Sequence, residues 1–244
     1  MYKKIDGVNI NYLSYGNPEG LDVILLHGWG QNISMMQPIG DNLKKDYKIT
    51  IIDLPGFGLS SEPETTYTVY DYAKLLNKFL NELNISKPIL VGHSFGGKIS
   101  LVYSSMYEVE KLVVFGSPFT KEITKLSMKT KVLKSLKNVP VLNKFENTIK
   151  KYVGSTDYRN STPMMRSILT DTVNRDIIED VKKIKCPTLI VWGSNDEAVS
   201  LERAYQLEKL ISNAGVVVYE GNTHYAYLER LNQTTNVLKS FFNS

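Results

Sequence analysis

Pro88-Ile89-Leu90-Val91-Gly92-His93-Ser94-Phe95-Gly96 is the stretch on which the reading of this chain turns. A short apolar run passes straight into a serine flanked by glycines, and the residues that follow open a helical pattern, so the segment reads as buried strand, sharp turn and helix. A serine hydroxyl is a poor nucleophile at neutral pH, and chemistry on it requires that the chain lift it out of a sheet and place a base beside it. A strand-to-helix turn does the lifting. Gly92 and Gly96 leave the turn uncrowded, and the backbone N–H of Phe95 at the new helix start faces a developing oxyanion. Five residues of this pattern occur by chance, so the flanking strand and helix carry the argument that Ser94 is a nucleophile.

Outward from this segment, short apolar runs rich in β-branched residues recur at Val23 to Leu26, Ile49 to Ile52, Leu112 to Phe115, Thr188 to Trp192 and Val216 to Tyr219. Each is apolar on both faces, as central parallel strands are when helices cover both sides of a sheet. Helical patterns lie between them, for instance Val69 to Leu83, with Tyr72, Leu75, Leu76, Phe79 and Leu80 on one face, and Leu201 to Ile211. Strand alternating with helix predicts an α/β, doubly wound sheet. At the front, Tyr2 to Tyr15 alternates and is broken by Asp6-Gly7, which predicts an edge hairpin. The alternation stops between Ser117 and Lys182, where Pro140, Gly154 and Pro163 separate helical pieces. Residues 1–116 and 183–244 are therefore expected to form the core, with residues 117–182 a helical cap over the carboxyl ends of the strands, where open α/β sheets bind ligands.

The 244 residues are 42% hydrophobic and 22% charged, enough for one sizeable α/β domain and unlike a disordered chain. No run of about 18 apolar residues exists, which excludes a membrane-spanning helix, and Met1 to Gly7 carries no signal-like apolar stretch behind its lysines. Cys186 is the only cysteine, which rules out an internal disulfide or a cysteine zinc site and marks it as a packing residue. A cytoplasmic protein is the expectation. The net charge of +4 is too small, without a motif, to imply a nucleic-acid partner. Its excess is concentrated from Lys121 to Arg159, and the ordinary reading of such a run is a solvated helix face.

A nucleophilic serine needs a base, an orienting acid and two oxyanion donors. Of the three histidines, His93 is adjacent to Ser94 on a tight turn and points elsewhere, while His27 ends a strand. His224, in Gly221-Asn222-Thr223-His224 after the last strand, is placed to reach over the sheet as the base. The acid is expected in the loop after an intervening strand, where Trp192-Gly193-Ser194-Asn195-Asp196 supplies Asp196; Glu197 is the nearest rival, and a cap on the helix near Ser200 the plain alternative for Asp196. Phe95 gives one oxyanion amide, and Trp29 in His27-Gly28-Trp29-Gly30 gives the other.

At this point the chain resembles the α/β-hydrolase family along nearly its whole length. The resemblance rests on His27-Gly28-Trp29-Gly30, Asp53-Leu54-Pro55-Gly56-Phe57-Gly58-Leu59-Ser60, Gly92 to Gly97, Gly193-Ser194-Asn195-Asp196 and His224. It implies an eight-stranded, mostly parallel sheet with a helical cap after the sixth strand. It also implies Ser94 as nucleophile, His224 as base, Asp196 as acid and the Trp29 and Phe95 amides as oxyanion hole, with no metal or organic cofactor. Asp53 is read as a structural anchor of its loop. Within the family the pattern looks like small cofactor-free esterases acting on a small-molecule ester. The His-Gly-Trp-Gly and Asp-Leu-Pro-Gly-Phe-Gly segments are similar to those of pimeloyl-carrier-protein methyl ester esterases, whose basic cap meets an acidic acyl carrier; by that resemblance the lysine-rich span from Lys121 to Lys151 would fit such a partner. Carbon-carbon bond hydrolysis, acyl transfer and a slow receptor-like function are the alternatives on the same scaffold. Trp29, Phe119, Met128, Met164 and Met165 are the candidate substrate-pocket residues.

Overall fold

The computed structural model describes residues 1–121 and 162–244. Its strands fall where β-branched runs predict them: β1 (Tyr2–Ile5), β2 (Val8–Gly16), β3 (Asp22–Leu26), β4 (Lys48–Ile52), β5 (Ile89–His93), β6 (Lys111–Phe115), β7 (Thr188–Gly193) and β8 (Ala214–Tyr219). They form one eight-stranded sheet in the order β1-β2-β4-β3-β5-β6-β7-β8. The pairs β1 with β2 and β2 with β4 are antiparallel, and every pair from β4 to β8 is parallel. The predicted hairpin is thus the antiparallel edge, turning through Asp6 and Gly7.

Every residue of β5, β6 and β7 is buried. Alternate residues feed two apolar layers: Ile24, Leu26, Leu90, Leu112 and Val114 enter one, and Val23, Leu25, Ile89, Val91 and Val113 the other. On the first layer lie α2 (Val69–Glu82) and α3 (Phe95–Met106); on the second lie α1 (Gln37–Leu43) and, near the chain end, a pair of helices introduced below. The predicted face of α2 is the buried one, and the helix starts with a capping box in which Thr68 and Asp71 each accept from the other's backbone N–H. Such a start stabilises a helix by about 1 kcal/mol.

Val216 to Tyr219, expected as a central strand, belongs instead to the edge strand β8. Only Tyr219 in β8 is fully buried, because among the described residues no strand pairs with its far side. Of the expected cap, α4 (Pro163–Asn174) and α5 (Ile178–Val181) are described, both helical. Met165, Ile168, Ile177 and Val181 pack into the first apolar layer. After β7 come α6 (Glu202–Leu210), then β8, α7 (Ala226–Glu229) and α8 (Leu231–Phe242); α7 and α8 close the second apolar layer. Because β4 to β8 run the same way, the loops that follow β3, β5, β6, β7 and β8 open at one edge of the sheet.

Candidate active site

Ser94 is the single residue between β5 and α3, held at φ +50° and ψ −110°. That region costs a non-glycine residue roughly 1–3 kcal/mol, so the surroundings must impose it. Its N–H donates to the Phe115 carbonyl at 2.8 Å, and its own carbonyl accepts from the Lys98 N–H at 2.9 Å. The flanking glycines are steric necessities. A Cβ on Gly92 would stand 2.6 Å from the Gly96 backbone, and one on Gly96 would stand 2.5 Å from the His27 carbonyl oxygen. The serine side chain does not cap α3, and its hydroxyl makes no hydrogen bond among the described residues.

Asp196 and His224, twenty-eight residues apart on the loops after β7 and β8, meet directly: His224 Nδ1 lies 2.7 Å from Asp196 Oδ2. The carboxylate is fully buried and the imidazole 14% exposed. The other carboxylate oxygen, Oδ1, accepts from the Ala198 and Val199 N–H groups at 2.8 and 2.9 Å. Asp196 therefore serves the local turn with one oxygen and the histidine with the other, and Glu197 is exposed. With Nδ1–H donated to the carboxylate, Nε2 of His224 is the free basic nitrogen. This pair borders the Ser94 turn through Gly116, the residue after the carbonyl that Ser94 binds. A Cβ on Gly116 (φ +51°) would come 2.9 Å from His224 Nδ1 and 3.1 Å from Asp196 Oδ2. The His224 segment is further held by Glu229, whose carboxylate accepts from Asn222 Nδ2 at 2.8 Å and the Thr223 N–H at 2.9 Å. These bonds, with one from the Thr223 hydroxyl, draw the Glu229 carboxyl below the usual carboxylate range.

The loop after β3 is organised by two buried polar residues. Asp53 accepts from Asn11 Nδ2 at 2.8 Å and from the Ile33 and Leu59 N–H groups at 2.7 and 2.8 Å, which makes it the loop anchor expected of it. His27 Nδ1–H donates to the Gly28 carbonyl at 2.7 Å, while Nε2 accepts the Leu54 N–H at 3.0 Å, so both bonds are met by one neutral tautomer. Burial pushes the His27 pKa down to about 4, against a smaller upward pull from the Gly28 carbonyl and Asp53. A trans peptide points its C=O and N–H in opposite directions. With the Gly28 carbonyl turned to the His27 ring, the Trp29 N–H points away from it. Among the described residues neither the Trp29 nor the Phe95 N–H has a hydrogen-bond acceptor.

Aromatic rings wall this region. Trp29 packs edge-on against Phe57 and Phe95, with centroids 4.8 and 5.2 Å apart, and Tyr72 stands 5.1 Å from Phe95. Met165 of α4 reaches the loop after β4, where a Cβ on Gly56 would be 2.4 Å from its sulfur. Lys98, one turn past Ser94 and 1% exposed, donates Nζ to the Thr172 and Arg175 carbonyls at 2.7 and 2.6 Å, tying the end of α4 to α3. Burial lowers the Lys98 pKa to about 8.

The structure thus brings Asp196 to His224 and places Ser94, Trp29 and Phe95 at the same sheet edge. Trp29 and Met164 are half-buried against the core and Met165 is buried. Phe119 is 1% exposed and packs in the first apolar layer, which also holds Met165. Met128 lies outside the described residues, as do the positive residues from Lys125 to Arg159 behind the acyl-carrier expectation. Sequence reading missed Lys98, Glu229 and Gln31, whose Oε1 accepts the Gly28 N–H at 2.9 Å in the loop after β3. A lysine beside Ile99, Leu101 and Val102 on a helix was a usable signal for Lys98, whereas Gln31 and Glu229 carry none outside their folded context. Among the described residues no group of three or more His, Cys, Asp or Glu is disposed to hold a metal ion, and no helix is long and apolar enough to cross a membrane.

An eight-stranded sheet of this order, with a strained serine turn and a carboxylate-bound histidine at its carboxyl edge, defines an α/β hydrolase. Residues 23–125 match the family described as alpha/beta hydrolase fold, and residues 78–227 match that described as BAAT / acyl-CoA thioester hydrolase C terminal. The chain belongs to the α/β-hydrolase family. It is 29% identical over 234 residues to the uncharacterized hydrolase YugF of Bacillus subtilis, covering 86% of this chain and 85% of that protein. It is 27% identical to lipase 1 of Psychrobacter immobilis, covering 96% and 81%. Among solved structures it superposes on the enol-lactonase of Burkholderia xenovorans with TM-score 0.80 at 18% identity, over the whole of both chains. The esterase of Exiguobacterium antarcticum gives 0.78 at 23% identity, over 100% of this chain and 99% of that one.

Proposed function

We propose that the protein hydrolyses a carboxylic ester through an acyl-enzyme formed on Ser94. The observation that carries this reading is the 2.7 Å bond between Asp196 and His224 next to the Ser94 turn. The buried carboxylate fixes the Nδ1–H tautomer of His224 and stabilises its imidazolium, and Nε2 takes the Ser94 proton as Oγ attacks the ester carbonyl. Contacts of this kind commonly tighten only when substrate is bound, which agrees with a serine hydroxyl that makes no hydrogen bond among the described residues. The Trp29 and Phe95 amides, both without an acceptor among the described residues, donate to the tetrahedral oxygen. His224 then protonates the leaving alcohol, and water activated by the same nitrogen releases the acid. Trp29, Phe57, Met164 and Met165 supply an apolar wall for the acyl or alcohol part. The similarity to lipase 1 of Psychrobacter immobilis supports an ester substrate. Under this reading residues 117–182 act as the cap.

Ser94→Ala tests it. Hydrolysis of short p-nitrophenyl esters is expected to fall to background while the circular dichroism spectrum and melting temperature stay at wild-type values. Undiminished turnover in that variant excludes Ser94 as the nucleophile.

A further inference from the structure

His93 is a fully buried polar side chain to which the reaction gives no role. It shares its strand face with Val91, so its imidazole enters the second apolar layer, opposite the side on which α2 and α3 pack. There it stands among the rings of His224, Tyr225 and Tyr227, with centroids 4.7, 5.4 and 4.8 Å away. A buried ring nitrogen requires a partner. Nε2 lies 3.1 Å from the His224 carbonyl oxygen, and Nδ1 lies 3.3 Å from Gln31 Oε1. Both neighbours are acceptors, and a neutral ring has one proton to give. Gln31 Oε1 already receives the Gly28 N–H at 2.9 Å, so the shorter contact to His224 takes the proton and the tautomer is assigned as Nε2–H. Burial and the neighbouring His224 hold the His93 pKa well below the usual histidine range, which keeps the ring neutral.

We propose that His93 is a positioning residue for the base: its Nε2–H grips the main-chain carbonyl of His224 and so ties the base to the residue covalently bonded to the nucleophile. His224 reaches the site from 131 residues further along the chain. Asp196 anchors one end of its side chain at Nδ1, and His93 anchors its backbone; the two together leave Nε2 little freedom relative to Ser94. The same ring rests on the loop after β3, where a Cβ on Gly28 would come 2.9 Å from His93 Nδ1. One side chain therefore spaces the serine turn, the base segment and the loop carrying the Trp29 amide. Catalysis is sensitive to such spacing, since a misplacement of about 1 Å costs on the order of 10²-fold in rate.

This inference rests on the triad reading, and the test separates the two. Turnover of a short p-nitrophenyl ester and the rate of Ser94 labelling by a fluorophosphonate are measured in wild type and three variants. His93→Phe keeps the ring volume without the donor. His93→Asn keeps a polar side chain too short to reach the His224 carbonyl, and His93→Gln restores an amide donor at about the reach of Nε2. The expected result is a fall in kcat and in labelling rate of about 10- to 100-fold for Phe and Asn, with KM within about twofold, and recovery of most of the loss in Gln. Equal kcat in Phe, Asn and wild type overturns the proposal, as does a Gln variant no faster than Asn at matched melting temperature. If Phe does not fold, the Asn and Gln pair decides. Wild type that neither turns over ester nor labels at Ser94 overturns the triad reading, and this inference falls with it.

Discussion

Acid should weaken the fold through His27, by an amount that follows from its surroundings. The ring is fully buried and neutral, giving one proton to the Gly28 carbonyl and accepting the Leu54 N–H. Protonation would put two donors where one must accept, in a fully buried site, and the folded-state pKa drops to about 4 from the ordinary 6.5. In the unfolded chain the same ring takes its proton near 6.5. Between these values the unfolded state binds more protons, so stability is fully present above about pH 6.5 and is lost as pH falls towards 4. A difference of about 2.5 units at about 1.4 kcal/mol per unit gives about 3 kcal/mol over the window, of which about 2 kcal/mol falls between pH 7 and pH 5. His93 is also held neutral by burial and pushes in the same direction, so wild type alone does not isolate His27. The comparison is with His27→Gln, which cannot titrate and leaves His93 in place. Urea unfolding of both proteins at about pH 7, 6 and 5 should show the wild type losing about 2 kcal/mol more than the variant, whatever the variant's starting stability. Equal pH slopes in the two proteins would refute the reasoning, because they would mean that His27 takes up its proton equally in both states.

Three other outcomes follow from the site. Asp196→Asn retains an acceptor for the Ala198 and Val199 amides but loses the charge that holds the His224 tautomer, so kcat should fall about 10³- to 10⁴-fold with little change in melting temperature. Gly116→Ala places a methyl 2.9 Å from His224 Nδ1 at a positive φ; turnover should fall at least about tenfold while the expression yield of folded protein is kept, and a fully active variant would contradict the packing described. Lys98→Met leaves the Thr172 and Arg175 carbonyls without their buried donor, and denaturant titration should show a loss of about 2 kcal/mol, with protease cutting near residues 162–176 accelerated.

The strands, their parallel arrangement and the order of serine, acid and histidine were legible because they depend on short-range pattern. Buried parallel strands must be apolar on both faces, and a serine between a strand and a helix needs glycines two residues to either side. Asp53 was legible as an anchor for the same local reason, since its Leu59 partner lies six residues on. Val216 to Tyr219 misled because edge and central strands differ only in what lies beyond them. Asp196 was offered two roles, capping the helix near Ser200 or pairing with the histidine; it pairs with His224 through one oxygen and holds the turn at Ala198 and Val199 with the other, while α6 starts without a side-chain cap.

The sequence by itself determined the class of sheet, the turn that lifts Ser94 out of it and the residue types that approach it, because strand length, helix period and turn sterics act over a few residues. Tertiary structure alone decided which nitrogen of each histidine carries the proton, which backbone amides have no acceptor among the described residues and how His224 is held between Asp196 and His93. Those properties come from contacts such as Leu54 to His27 and His93 to His224, across 27 and 131 residues, and no local pattern encodes a hydrogen bond whose partner arrives only when the sheet has closed.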